Sequence, residues 1–315
     1  MSLPCVTLLT SLAMLAFAAN SILCRLALKS TAVDAASFTT IRLFSGALLL
    51  WLLTLPRRDN SRGNWPSALA LFAYAAGFSF AYLSLTAATG ALLLFGAVQV
   101  TMLGYGIFTG ESLRRLQWAG LTIAFAGLVG LLLPGLAAPP LNGSLLMLGA
   151  GAAWGIYSIR GRAAGDAGTV TAGNFLRTLP ITLLLSLLML RNQSLDPVGV
   201  GYAIASGAVA SGAGYAIWYS ALPQLRAASA ASVQLSVPVI AAIGGVILLG
   251  EQPTPRLFVA SAAILGGIAL VIMGRQAGPN RKDGKTRLKG NASHPASVAA
   301  ASPRARAKTP SAGES

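Results

Sequence analysis

The chain has 315 residues, of which 55% are hydrophobic and only 10% are charged, and its mean hydropathy is +0.68. These values are typical of membrane proteins and exclude an ordinary soluble fold. A net charge of +15 would favour a nucleic-acid partner if it covered a folded surface, but most of the basic residues lie in short loops and in a tail that begins at Arg275. We therefore expect no nucleic-acid partner.

Ten apolar segments along the chain are each long enough to cross the hydrocarbon core of a bilayer, which needs about 20 residues. Charged residues, prolines and glycines separate them. The predicted spans cover residues 4–27, 35–55, 66–85, 90–109, 116–133, 143–160, 169–190, 197–221, 228–249 and 256–274.

The last five spans repeat residues of the first five at nearly constant spacing. The repeated positions are Phe17, Arg25, Arg42, Gly110 and Glu111 in the first copy and Trp154, Arg162, Arg177, Gly250 and Glu251 in the second. Because five is an odd number, the second copy must enter the membrane inverted relative to the first. We predict an all-α membrane protein with ten transmembrane helices in two inverted five-helix repeats.

The predicted domain boundaries follow from this repeat. The first repeat spans residues 1–133, a periplasmic connection spans 134–142, the second repeat spans 143–274, and a basic disordered tail spans 275–315. Lys and Arg are concentrated in the loops that share a side with the tail, so the positive-inside rule places both termini in the cytoplasm.

These residues resemble the drug/metabolite transporter superfamily, specifically its bacterial ten-helix members built from two EamA domains. The resemblance covers residues 6–273 and is carried by the repeated residues, by Pro238, and by the Tyr219, Ala221 and Leu222 element. It implies a multi-pass carrier of the bacterial inner membrane that exports amino acids or other small metabolites. It also implies a central cavity lined by the first, third, fourth, sixth, eighth and ninth spans.

The leading functional hypothesis is a secondary transporter that exports a small organic metabolite by alternating access of its two halves. A carrier of nucleotide sugars or lipid-linked groups is the alternative within transport, and a membrane scaffold or receptor is an alternative from another class. An intramembrane enzyme would need a buried His, Asp or nucleophile set, which the spans lack. We expect no cofactor, no metal site, and a monomer or weak homodimer in the lipid bilayer.

Polar and aromatic residues within the cavity-lining spans are the candidates for substrate contact. A buried amide without a partner costs about 1 to 3 kcal/mol, so each must bond a neighbouring helix or a group in a wet cavity. Aromatic rings add surface on which a substrate can stack. The candidates are Asn20, Gln99, Tyr157, Gln234, Trp154, Tyr215 and Trp218.

Arg42 and Arg177 lie within the second and seventh spans, where a charge costs about 2.5 to 3.5 kcal/mol on insertion scales. Each either binds an anion on the transport path or is a structural arginine that faces the membrane interface, with its head snorkelling or paired with backbone carbonyls. We favour the structural interpretation, because the resemblance places neither span at the cavity.

Glu111 and Glu251 end the fourth and ninth spans beside a glycine. They are either gating carboxylates or structural partners of loop arginines such as Arg114 and Arg256, and we favour the structural role. Pro238 removes a backbone donor within the ninth span, and we interpret it as a hinge. No Asp or Glu lies in the middle of a span, so the coupling ion is left open.

Overall fold

The computed structural model describes residues 2–55, 63–110, 113–135, 138–161, 166–225 and 233–276. These residues form ten helical spans and no strand. The first five are α1 (Leu3–Ser30), α2 (Ala35–Thr54), α3 (Trp65–Ala81), α4 (Ala87–Phe108) and α5 (Arg115–Leu132). They are followed by α6 (Leu141–Gly161), α7 (Ala167–Leu188), the composite α8 (Pro197–Gln224), α9 (Ser236–Leu249) and α10 (Pro255–Gln276).

Seven of these spans are long and apolar enough to cross a membrane, while α3 and α9 are shorter apolar helices. All ten helices coincide with predicted spans to within a few residues, except that residues 226–232 of the ninth lie outside the described part. The predicted tail also lies outside it from residue 277 onward. The fold class is therefore confirmed at the level of a multi-pass helical membrane protein.

Polar side chains at the ends of the spans define where five helices begin. Asp34, Asn64, Thr86, Asp166 and Asp196 occupy N-cap positions of α2, α3, α4, α7 and α8, and each side chain accepts a hydrogen bond from an amide of the first turn. Such caps satisfy amides that have no partner within the helix. Three of the four described carboxylates are used in this way at helix ends.

The helices of the first half pack mainly on helices of the second half. α2 lies against α7, α3 and α4 lie against α6, α1 lies against α8 and α9, and α5 lies against α10. Glycines permit the closest crossings: a Cβ on Gly207 would collide with the carbonyl oxygen of Arg42, and Gly120 and Gly267 face each other in the same manner. Small residues of this kind let helix backbones approach closely in membranes.

The composite span α8 changes its winding in the middle. Pro197–Ile204 and Gly214–Ala221 are α-helical, and Ala205–Ala213 between them is a π-helix. π-helical turns are rare in proteins, and those that occur are often found at functional sites. This stretch contacts α1 and α2 and brings Ser206 and Ala210 to the centre of the bundle.

Candidate functional site

A central cavity lies where helices of the two halves meet. Its volume is about 20 Å³, which holds roughly one water molecule and is too small for an organic substrate. It is lined by Phe17, Asn20, Tyr74, Phe78, Leu94, Phe95, Trp154, Ala210 and Tyr215. These residues come from α1, α3, α4, α6 and α8, so the site in this conformation is closed around its centre.

A chain of hydrogen bonds crosses the cavity wall from one half to the other. The Ser206 hydroxyl donates to Asn20 Oδ1 at 2.6 Å, and Asn20 Nδ2 donates to the Tyr74 hydroxyl at 3.1 Å. Arg42 Nη2 donates to the same Tyr74 oxygen at 3.0 Å. The predicted residue Asn20 is therefore the link between α8 of the second half and α3 of the first.

Arg42 lies behind this wall and is only 1% exposed. Its guanidinium carbon is 4.8 Å from the ring centre of Phe78 and 5.2 Å from that of Tyr74, which are cation–π distances. The expectation that Arg42 snorkels to the interface is wrong, because α2 is packed between α7 and α8 and turns this residue inward. The sequence did not show this packing.

Aromatic rings from five helices supply six of the nine residues that line the cavity. The Trp154 ring stacks on Tyr215 at 5.1 Å and on Tyr157 at 5.4 Å, and it contacts Tyr74 at 4.9 Å. Phe17, at the position that repeats as Trp154, meets Tyr215 edge to face. The predicted residues Trp154 and Tyr215 thus lie at the cavity, and Tyr157 supports Trp154 from behind.

Four other predicted residues lie outside the cavity lining. Trp218 is buried and contacts Phe17 edge to face at 6.0 Å. Gln99 and Gln234 are half-buried in α4 and in the turn that precedes α9. Pro238 lies in the first turn of α9, and the missing amide coincides with an interruption of the helix at Leu235. Their roles in binding or hinge motion stay predictions.

An ionic junction, the Arg25 junction, closes one end of the bundle. Arg25 Nε lies 3.3 Å from Glu251 Oε1, and Arg25 Nη1 donates to the carbonyl of Tyr82 at 2.7 Å. Glu251 Oε2 accepts from the Ala87 amide at 2.8 Å. This junction joins α1, α3 and α4 to the loop after α9. Glu251 therefore pairs with Arg25 and not with the expected Arg256, which donates to carbonyls of Gly130 and Leu133.

A second junction, the Arg160 junction, lies at the opposite end of α3. Arg160 at the end of α6 donates to Ser67 Oγ at 3.1 Å and to Asn64 Oδ1 at 3.2 Å. The Asn64 amide donates to Asn174 Oδ1 of α7 at 2.9 Å. The first half is therefore bonded to the second at both ends of α3 as well as at its centre.

The remaining predicted residues are distributed as follows. Arg177 is half-buried, and its Nη1 donates to the carbonyl of Gly173 one turn earlier in α7. Glu111 lies outside the described residues. Tyr82 is fully buried, because its ring packs against Phe78 at 4.8 Å beneath the Arg25 junction.

Tyr74, Phe78 and Ser206 are site residues that sequence reasoning missed. One signal could have found the region: Arg42 is a charge within a span, and no span holds a carboxylate that could neutralise it. Nothing in the sequence distinguishes Ser206 from the other serines of the spans, because its role depends on the π-helical winding of α8.

A larger groove of about 600 Å³ lies between α5 and α10. Its walls are apolar except for Arg256, whose donors already bond the carbonyls at the end of α5. Because α5 packs mainly on α10, this groove lies at the edge of the bundle. The central cavity, with its convergent polar groups, is therefore the better candidate site.

Comparison with known proteins agrees with this architecture. Residues 141–273 match the model of the EamA-like transporter family. The chain is 58% identical over 271 residues to Uncharacterized protein PA1977 of Pseudomonas aeruginosa, covering 85% of this chain and 94% of that protein. It is 32% identical to the Threonine/homoserine exporter RhtA of Escherichia coli K12 over 191 residues, 55% of this chain and 63% of RhtA.

A solved crystal structure of a protein with 23% sequence identity covers 87% of this chain and the whole of its own, with a TM-score of 0.61. At this identity the likeness shows the fold alone. The resemblance predicted from the repeated residues is confirmed by the family model and the relatives. The chain belongs to the EamA-like transporter family of the drug/metabolite transporter superfamily.

Proposed function

We propose that this membrane transporter exports small neutral amino acids, of the threonine and homoserine type, across the bacterial inner membrane. The observation that carries the proposal is the hydrogen-bonded wall in which Ser206, Asn20 and Tyr74 join the two halves around one central cavity. A midplane site at the meeting point of two halves is the arrangement that alternating access requires. The similarity to RhtA supports the substrate class.

The packing supports an inverted repeat of two five-helix halves, residues 1–133 and 143–274. In the repeat, helices α1 to α5 correspond in order to helices α6 to α10. Exchanging each helix for its partner turns the contact between α3 and α6 into that between α8 and α1. It turns the contact between α4 and α6 into that between α9 and α1. The pairs α2 with α7, α4 with α9, and α5 with α10 exchange into themselves. This set of contacts is unchanged by the exchange, as a two-fold relation requires. Both termini then lie in the cytoplasm, as the loop charges predict.

The mechanism follows from the closed cavity and the two junctions. A cavity with room for roughly one water must widen to admit an amino acid, so the helices that carry its wall must separate. The Arg25 junction and the Arg160 junction lie at opposite ends of α3, and each joins the two halves. Opening one junction while the other holds exposes the cavity to one side of the membrane at a time.

The test is counterflow of labelled L-threonine into proteoliposomes that contain the purified full chain and are preloaded with unlabelled L-threonine. We expect wild-type protein to accumulate label above protein-free liposomes and Asn20→Ala to reduce the rate by at least tenfold. Asn192→Ala is the matched control, because Asn192 is exposed at the end of the short 3-10 helix that follows α7. Equal rates for Asn20→Ala and Asn192→Ala, or no counterflow of threonine or homoserine by wild-type protein, would contradict the proposal.

A further inference from the structure

Two hydrogen-bond donors, one in the cavity wall and one behind it, lack acceptors. Arg42 Nη1 is fully buried and has no hydrogen-bond partner in the described part of the chain. The Tyr74 oxygen accepts from both Asn20 Nδ2 and Arg42 Nη2, so its own proton remains to be donated, and no described residue accepts it. Buried donors without acceptors are rare in native structures and require an explanation.

The charge of Arg42 is also uncompensated. Of the four described carboxylates, Glu251 pairs with Arg25, and Asp34, Asp166 and Asp196 are caps at helix ends. Tyr74 and Phe78 give Arg42 a hydroxyl acceptor and two ring faces, but neither residue carries a negative charge. A buried cation without a counter-ion is costly, and a bound anion would relieve this cost.

We propose that Arg42 and Tyr74 form the subsite that binds the carboxylate of the transported amino acid. This inference rests on the proposed function and adds to it the residues that recognise one end of the substrate. A carboxylate that reaches Tyr74 from the widened cavity would accept a hydrogen bond from the phenol and meet the guanidinium of Arg42, which is bonded to the same oxygen through Nη2 and whose Nη1 has no partner among the described residues. Charge-assisted hydrogen bonds of this kind are about twice as strong as neutral ones.

The subsite also gives a reason for the network around it. The Ser206 hydroxyl bonds Asn20 Oδ1 and so orients the Asn20 amide, whose Nδ2 donates to the Tyr74 oxygen. Because this nitrogen and Arg42 Nη2 are both donors, neither can accept the phenol proton of Tyr74. Tyr74 is bonded on one side to Arg42 of α2 and on the other to Asn20 of α1, which in turn accepts from Ser206 of α8. A carboxylate that binds both donors would therefore be in contact with Tyr74, which is bonded to Asn20, the link between the two halves.

The experiment measures inhibition of L-threonine counterflow by unlabelled L-threonine and by L-threonine amide, which lacks the carboxylate. For wild-type protein we expect the amide to inhibit at least about 30-fold more weakly, because losing one partner of a buried charged pair costs a factor of this size or more. Arg42→Gln should raise the half-saturating concentration of threonine by at least about 30-fold and abolish the preference over the amide. Arg42→Lys keeps the charge and should retain part of the preference.

Arg177→Gln is the matched control, because it makes the same substitution at the position that repeats Arg42 and should leave the preference unchanged. If Arg42→Gln transports threonine with the wild-type half-saturating concentration and preference, the subsite is wrong while the proposed function stands. If wild-type protein does not transport threonine at all, the proposed function has failed, and the subsite is tested independently of transport.

That independent test measures the thermal unfolding midpoint of the full chain in detergent, in HEPES buffer with equal concentrations of sodium acetate, acetamide or sodium chloride. We expect acetate to raise the wild-type midpoint above that in chloride or acetamide, and the Arg42→Gln variant to lose this rise. An equal rise with chloride means that the site binds an inorganic anion and not a substrate carboxylate, which overturns the proposal. The absence of any rise with acetate overturns it as well.

Discussion

Two arginines of the first half are largely buried among helices, and the protein treats their charges differently. Arg25 pairs with the Glu251 carboxylate and donates to the Tyr82 carbonyl, so its charge and its donors are met by the protein. Arg42 is bonded to one neutral hydroxyl and leaves a nitrogen without a partner in the described residues. A compensated charge stabilises a junction between helices, whereas an uncompensated one marks a place where a ligand is expected.

The largest expected effect comes from removing the counter-ion of Arg25. Glu251→Gln keeps the side-chain shape but leaves Arg25, whose side chain is 13% exposed, without a negative partner. Breaking a buried ion pair by removing one member costs about 3 to 5 kcal/mol. We expect a loss at the lower end of this range, measured as the free energy of unfolding in mixed micelles of detergent and SDS.

The double variant Arg25→Gln with Glu251→Gln provides the control. It removes both charges and should recover part of the stability lost by the single variant, because the remaining groups are neutral. If Glu251→Gln alone unfolds at the wild-type SDS concentration, the ion pair contributes nothing and the contrast with Arg42 fails.

Gly207 tests the packing that holds Arg42 inside the bundle. A Cβ at this position would overlap the Arg42 carbonyl oxygen and Ser45 Oγ, so Gly207→Ala must push α8 away from α2. Overpacking of this kind costs about 1 to 3 kcal/mol, and we expect a loss of unfolding free energy in that range. Gly201→Ala is the matched control in the same span, because no heavy atom lies within 4 Å of a Cβ there.

Gly201→Ala should be neutral or slightly stabilising, since alanine is the better helix former by up to about 1 kcal/mol. If Gly207→Ala is as stable as Gly201→Ala, the close crossing of α2 and α8 is not required. The inward position of Arg42 would then need another explanation.

The positions of the spans could be predicted from the sequence, because apolar length and polar breaks are local properties. The residues at which α2, α3, α7 and α8 begin follow from the side chains that cap their N-termini, such as Asp34 and Asn64. Asn20, Trp154 and Tyr215 were found at the cavity because the resemblance assigned the first, sixth and eighth spans to it.

The directions in which particular side chains face could not be predicted from the sequence. Arg42 was assigned to the membrane interface because its span was not expected at the cavity, but the π-helical stretch of α8 and Gly207 let α2 approach the centre. The expected partners of Glu251 are loop arginines such as Arg114 and Arg256, whereas its partner in the structure is Arg25 of α1, 226 residues away along the chain. Such long-range pairings depend on packing that no local pattern encodes.

Asp34 provides a third case, a carboxylate that is satisfied by amides and has no arginine. Burial opposes its ionisation, but hydrogen bonds from Ser37, Ser194 and Ala36 outweigh this effect and lower the pKa of Asp34 below its ordinary value of 3.8. Because the folded state binds this proton less tightly than the unfolded state, the stabilisation is complete above pH 3.8 and is lost as the pH falls through the folded-state pKa.

We expect Asp34→Ala to lower the free energy of unfolding by about 1 kcal/mol at pH 7, as for the loss of an N-cap. Asp34→Asn keeps a capping oxygen and should cost less. The difference between wild type and Asp34→Asn should narrow as the pH is lowered below 3.8. A difference that is constant from pH 7 to pH 3 would show that the charge of Asp34 contributes nothing.

The smallest expected change in stability is at Arg42 itself, and it separates the two arginines most clearly. Arg42→Met replaces a buried charge that has no carboxylate partner by an unbranched apolar side chain, and Tyr74 keeps its hydrogen bond from Asn20. Replacing buried charges by well-packed apolar groups is often neutral or stabilising. We therefore expect the free energy of unfolding to stay within about 1 kcal/mol of wild type, whereas Arg25→Met, which strands Glu251, should lower it by about 3 kcal/mol or more. A loss at Arg42→Met equal to that at Arg25→Met would mean that Arg42 is a structural charge, and the case for a ligand at its free nitrogen would lose its basis.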